Sequence, residues 1–291
     1  MTNLITMQKI IPHLWFDKEA VEAAKFYVSA FPNSRITHKT QIKDTPSGDC
    51  DILGFEVMGY SFMAISAGPV FKINPSISFS LNLETKEEVQ ALWDKLAPGG
   101  KALMELGEYP FSPFYGWIQD KYGVSWQLIA LGKEAKGRPK VTPALMFTQD
   151  KAGKAEEAMN FYSSIFKNSK IGEIFRYTGE EGADEKGTVA HAVFFLAGQE
   201  FMALDSAQIH KFQFNEGVSL MVNCKDQAEI DYFWEKLSAV PESEQCGWVK
   251  DKYGVSWQII PENMDELISN DAKVQAMLKM KKIVIKDLEK A

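Results

Sequence analysis

Fourteen residues occur twice. Gly116-Trp117-Ile118-Gln119-Asp120-Lys121-Tyr122-Gly123-Val124-Ser125-Trp126-Gln127-Leu128-Ile129 and the stretch from Gly247 to Ile260 agree at 11 of 14 positions, a match that local propensity alone does not produce. In each copy an apolar run, Asp-Lys-Tyr-Gly and an alternating Val-Ser-Trp-Gln run follow in order, which predicts strand, tight turn and strand. Two copies of one hairpin imply two homologous units. For 291 residues that divides the chain into a first domain at 1–136 and a second at 137–291, each long enough to bury a core.

The rest of the chain repeats as well. Lys9 to Phe16 reads as a strand, with Pro12 suggesting an edge or irregular start. A helix follows, with Val21, Ala24, Val28 and Phe31 at helical spacing and Asp17 as its cap. Ile36 to Ile42, Ile52 to Met58 and Ser61 to Ser66 are the next strands, with a loop at Asp44 to Asp49. The order then recurs from Ile77: an alternating strand, a helix opened by a Thr85/Glu88 capping box, and three strands. In the second half Pro143, Leu145 and Phe147 match Pro12, Leu14 and Phe16, and Phe201-Met202-Ala203 matches Phe62-Met63-Ala64. About ten residues are missing before Cys246 relative to the first half. After Pro261 a tail without a first-half counterpart carries Val274, Met277, Leu278, Ile283 and Val284, predicting a docking helix and an extended end, with a dimer contact as the other reading.

Composition narrows the partners. Net charge is -7, from 32 basic and 39 acidic side chains, whereas proteins that grip a nucleic-acid backbone concentrate Lys and Arg. No apolar stretch approaches the roughly 20 residues that span a bilayer, and the N-terminus lacks the apolar core of a secretion signal. The expectation is a cytoplasmic protein with a small-molecule ligand, no nucleic acid and no membrane. The three cysteines, Cys50, Cys224 and Cys246, have no metal-type spacing and read as reduced thiols.

Four strand-helix-strand-strand-strand modules resemble the vicinal oxygen chelate superfamily of glyoxalases, bleomycin-resistance proteins and extradiol dioxygenases. The Phe-Tyr helix, the repeated Phe-x-x-Asn at Phe71–Asn74 and Phe212–Asn215, and Gly-Trp-x-x-Asp-Lys-Tyr-Gly-Val-Ser-Trp-Gln are similar to its PhnB-like branch, often labelled by a 3-demethylubiquinone-9 3-methyltransferase domain. The resemblance implies an α+β fold of tandem glyoxalase-like domains whose mixed sheets curl into open cups. The methyltransferase label gains no support from the residues, since no Gly-rich nucleotide-binding loop follows a strand.

In metal-bearing relatives each of four strands places one ligand inside the cup. Alternation along the strands puts His13, Trp15, Glu56, Ser78, Ser80 and Gln127 on that face in the first half, and His191, Ser219 and Gln258 in the second. Gln127 and Gln258 stand where the superfamily carries its last carboxylate ligand. A glutamine carbonyl is an uncharged, weak donor, and neither half keeps a full His/Glu set. The resemblance thus implies a divalent metal while the residues supply an incomplete ligand set, of which His13, Glu56 and Gln127 are the candidates. Glu56 and His191 are candidates for moving a proton. The bland alternatives are a strand histidine bonded to a backbone carbonyl for His13, a solvated edge residue for Glu56, and core packing for the paired tryptophans. Function divides between a metal-assisted glyoxalase, isomerase or dioxygenase and a non-enzymatic small-molecule binder of the bleomycin-resistance type. A relic whose cup is filled by its own side chains is the third reading, and homodimerisation is an accompanying expectation.

Overall fold

The computed structural model describes residues 8–45, 47–180 and 182–291. The first module comprises β1 (Ile10–Phe16), α1 (Ala20–Ala30), β2 (Arg35–Thr45), β3 (Gly48–Val57) and β4 (Tyr60–Ser66). The second is β5 (Ile77–Leu83), α2 (Lys86–Leu96), β6 (Lys101–Tyr109), β7 (Ser112–Gln119) and β8 (Ser125–Ala130). The third contains β9 (Val141–Thr148), α3 (Ala155–Ile165), β10 (Lys170–Arg176), β11 (Val189–Leu196) and β12 (Gln199–Ser206). The fourth is shorter: β13 (Val218–Cys224), α4 (Gln227–Leu237), β14 (Trp248–Lys250) and β15 (Ser256–Pro261).

Several local expectations change. The helix α1 starts after Glu19 without a side-chain cap rather than on Asp17, whereas Thr85 and Glu88 do form a capping box. The expected loop at Asp44 to Asp49 is mostly strand, because β2 and β3 pair as far as Thr45 and Gly48; its Pro46 lies outside the described residues. Pro12 does not mark an edge. Strand β1 is central, between β13 and β4. Its pairing with β4 begins only at His13, and the nitrogens on the other side, such as that of Trp15, serve the β13 side. Pro12 therefore occupies a place where a missing N–H costs no ladder bond.

The sheets do not follow the halves of the sequence. The first sheet runs β14-β15-β13-β1-β4-β3-β2 and joins modules one and four; the second runs β10-β11-β12-β9-β5-β8-β7-β6 and joins modules two and three. The seams are the antiparallel pairs β1–β13 and β5–β9. Each sheet turns one face to the helices and the other into its own cup. Phe79 and Trp126 meet on the helix side of the second sheet, and Ser78 and Gln127 meet on its cup side.

The duplicated turn locks the layers together crosswise. Asp120 is 3% exposed and Asp251 is 1% exposed, so these are turn residues with an interior task. Asp251 Oδ1 accepts the backbone N–H of Tyr253 and Val255, and its Oδ2 accepts from Trp257 Nε1 at 2.8 Å and from the Tyr162 hydroxyl at 2.7 Å. Asp120 repeats the bonds to Tyr122, Val124 and Trp126. Burial pushes the Asp251 carboxyl up to about 6 against those hydrogen bonds. Outside the turn, Tyr122 donates to Glu22 on α1, and Tyr253 donates to Glu157 on α3. A hairpin of one sheet thus clasps a helix belonging to the other.

Module four lacks one strand after its helix, which is the physical meaning of the ten missing residues. The tail fills that place. It folds as three short helices, α5 (Met264–Leu267), α6 (Asp271–Leu278) and α7 (Ile285–Lys290), rather than one helix and an extended end. Cys246 and Gly247 donate to the carbonyls of Met280 and Lys281 beside β14. Leu267, Val274, Met277, Ile283 and Leu288 form a second apolar core with Ile42 of β2.

Candidate functional site

Sheet pairing decides which predicted residues can meet. On the first sheet, His13 lies opposite Ser219 on one side and Met63 on the other; Met63 lies opposite Gly54, and Gly54 opposite His38. These five positions form one rung across five strands. Gln258 on β15 faces the same cup and donates to Ser219 Oγ at 2.9 Å. The two sheets therefore divide the candidate metal ligands: His13 lies in the first and Gln127 in the second. Glu56, at the end of β3, is bound by both Nε and an Nη of Arg35 at 2.9 and 3.0 Å. Among the described residues no three His, Cys, Asp or Glu side chains come together as a metal site would require. The ligand set implied by the resemblance, His13, Glu56 and Gln127, is therefore not brought together.

The first cup holds a cavity of about 620 Å³. Its floor includes Ile11, His13, Trp15, Met63 and Met221; its walls include Ile52, Phe71 and Trp248; Met264, Ile268, Met277 and Leu278 of the tail close over it. His13 is 5% exposed. It makes no hydrogen bond among the described residues, and its Nδ1 is shut off from solvent. Burial lowers its pKa to about 3, so at ordinary pH the ring is neutral and offers one donor and one acceptor. Trp248 stands edge-on to His13 at 5.7 Å and to Trp15 at 6.0 Å. Trp15 donates Nε1 to the Gly68 carbonyl and packs edge-on against Phe71.

In the second cup polar side chains bond one another. The Tyr115 hydroxyl donates to Gln127 Oε1 at 2.9 Å, Gln127 Nε2 donates to Ser78 Oγ at 2.8 Å, and Trp117 Nε1 donates to Ser125 Oγ at 2.7 Å. Ser80 is buried opposite Thr142, which in turn donates to Glu200. Strand β5 is buried on both faces, so the polar side expected to face something polar faces its own sheet's residues. His191 sits on β11, tilted 6.2 Å from Phe175. Its pKa is lowered by burial first and then by Arg138, with Glu173 opposing.

Trp248 departs from the expectation that the paired tryptophans are all core. Trp126 and Trp257 are fully buried, but Trp248 lines the cavity. Sequence reasoning also missed His38 and the tail as parts of this site. The signal for His38 is Gly54, a glycine inside a strand, which marks the close approach of another group.

A family model described as 3-demethylubiquinone-9 3-methyltransferase matches residues 8–129 and again 139–260. Among solved structures, a Bacillus cereus PhnB protein is 38% identical over 42% of this chain and 99% of its own, with a TM-score of 0.40. Glyoxalase I from Zea mays covers 88% of this chain and 94% of its own at 12% identity and a TM-score of 0.55, a likeness of fold. Among proteins of curated function none matches. No helix among the described residues is long and apolar enough to cross a membrane.

Proposed function

The chain belongs to the 3-demethylubiquinone-9 3-methyltransferase (PhnB-like) family of the vicinal oxygen chelate superfamily, and from that premise we propose that it binds one small, largely apolar molecule in the first cup without chemically changing it. The observation that carries this reading is a cavity of about 620 Å³ with an unpartnered histidine on its floor. That volume lies within the range of about 300–1,000 Å³ typical of small-molecule sites. A buried imidazole without a partner costs free energy, and a ligand hydroxyl, amide or amine removes that cost.

The chemistry of His13 favours binding over catalysis. With its pKa lowered to about 3, it carries no imidazolium proton near neutral pH and is a weak base, so it serves as a hydrogen-bonding anchor rather than a general acid or base. Glu56 is engaged by Arg35, and His191 belongs to the other sheet. Aromatic edges from Trp15, Phe71 and Trp248 supply flat contact area.

The test uses 2-naphthol, a neutral amphipathic probe. A saturating concentration should raise the thermal midpoint of the protein by a few degrees, and Met63→Trp, which fills the floor beside His13, should abolish the shift. Absence of a shift in the parent protein, or one that survives Met63→Trp, would overturn the proposal.

A further inference from the structure

We infer that the ligand of the first cup carries two hydrogen-bonding groups at opposite ends of an apolar body and no anionic group, one end held by His13 and the other by His38. This rests on the binding reading above and adds the class of molecule bound.

Two observations place His38 in the site. It lines the same cavity as His13, and its buried Nε2, like His13 Nδ1, has no hydrogen-bond partner. Its Nδ1 has only a 3.4 Å contact with Thr37 Oγ1. The reason lies in Gly54: a Cβ built there would fall 2.1 Å from His38 Cε1 and 2.3 Å from Nδ1. The ring therefore lies over the Gly54 backbone, leaning from β2 towards the middle of the sheet. Three strand spacings of about 4.8 Å separate β2 from β1. Leaning over β3 removes one of them, leaving roughly 10 Å between the two rings. Met63 lies between them, and Ile52 and Ile65 add apolar walls. An apolar body with a polar group at each end matches that order of surfaces.

Charge sets the second half of the inference. Glu216, Glu242, Glu262 and Asp265 line the cavity, and no Lys or Arg does. Glu216 is paired with Lys250; the other three form no ion pair among the described residues. An anionic ligand would lose hydration among the apolar walls and find no basic side chain in the lining as a counter-ion. A neutral or cationic ligand meets no such penalty, and the aromatic rings welcome a cation.

Three matched probes separate the outcomes: 2-naphthol with one polar end, 2,6-dihydroxynaphthalene with two, and 6-hydroxy-2-naphthoic acid with one end anionic at neutral pH. Titration of the parent protein should show the diol binding about tenfold tighter than 2-naphthol, as expected for one added buried hydrogen bond. The naphthoate should bind at least about tenfold weaker than the diol. His38→Ala should bring the ratio of diol to 2-naphthol affinity close to one, and Gly54→Ala, whose new methyl displaces the ring, should do the same. Equal affinity for diol and naphthol in the parent protein, a preference that survives His38→Ala, or a naphthoate that binds as tightly as the diol would each overturn the inference while leaving the cavity a binding site. Failure of the parent protein to bind either 2-naphthol or the diol would overturn the binding reading itself, and this inference with it.

Discussion

The two copies of the fourteen-residue hairpin are nearly identical on the side that faces the helices and different on the side that faces the cups. On the helix side, Asp120 and Asp251 each hold two backbone N–H groups and a buried indole. On the cup side, Trp117 donates to Ser125, but Trp248 has turned from Ser256 towards His13 and Trp15, leaving Ser256 Oγ buried and unpartnered. Where Tyr115 holds Gln127 Oε1, the second copy has Cys246, at which the chain turns with φ 49°. No hydroxyl meets Gln258 Oε1 among the described residues. The motif repeated in sequence is therefore the interlock between layers, and the cavity exists where the copies diverge.

The largest expected difference between the cups is in acid. His13 in the first corresponds to Ala144 in the second. Burial holds its folded pKa at about 3, below the ordinary histidine value of 6.5, so the unfolded chain takes up the proton first. The stability His13 contributes is complete above pH 6.5 and is lost as pH falls towards 3. Denaturant unfolding at pH 7 and pH 4 should show the parent protein losing about 3 kcal/mol more than His13→Gln over that interval. Equal losses would mean that His13 is solvated and the first cup is wet.

Equivalent positions sharpen the contrast. Met202 is buried in the second cup and Met63 borders the cavity of the first. Met202→Trp should destabilise the protein by about 2 kcal/mol through overpacking, whereas Met63→Trp, entering open space, should cost less than about 1 kcal/mol. Thermal or urea unfolding measures both. The smallest effect separates the two serines. Ser125→Ala removes the acceptor of the half-buried Trp117 indole N–H and should cost about 1 kcal/mol, while Ser256→Ala, deleting an unsatisfied hydroxyl, should cost nothing or stabilise slightly.

Much of this fold was legible because its signals are local or repeated. The duplicated Trp-Gln hairpin, the matching Pro-x-Leu-x-Phe strands and the Thr85 capping box named the modules, and alternation along β1 and β15 put His13 and Gln258 on the cup face. Module pairing was not legible. Both β1 and β9 can bond to either β5 or β13 as far as alternation shows, and only the folded sheets reveal that β1 takes β13 and β9 takes β5. Treating the sequence halves as cups placed His13 with Gln127, which the sheet order separates. His38 was missed for a related reason: its role is visible only once β2 is set beside Gly54. The tail was read as a docking element, but its place over the cavity follows from a strand that module four lacks, a vacancy defined by the neighbouring sheet.

Ligand binding is proposed for the first cup alone. Isothermal titration of 2-naphthol into the parent protein, Met63→Trp and Met202→Trp counts the sites directly. The prediction is one site per chain in the parent, none in Met63→Trp, and one retained in Met202→Trp. Two sites per chain, or a site that survives Met63→Trp and disappears in Met202→Trp, would contradict it.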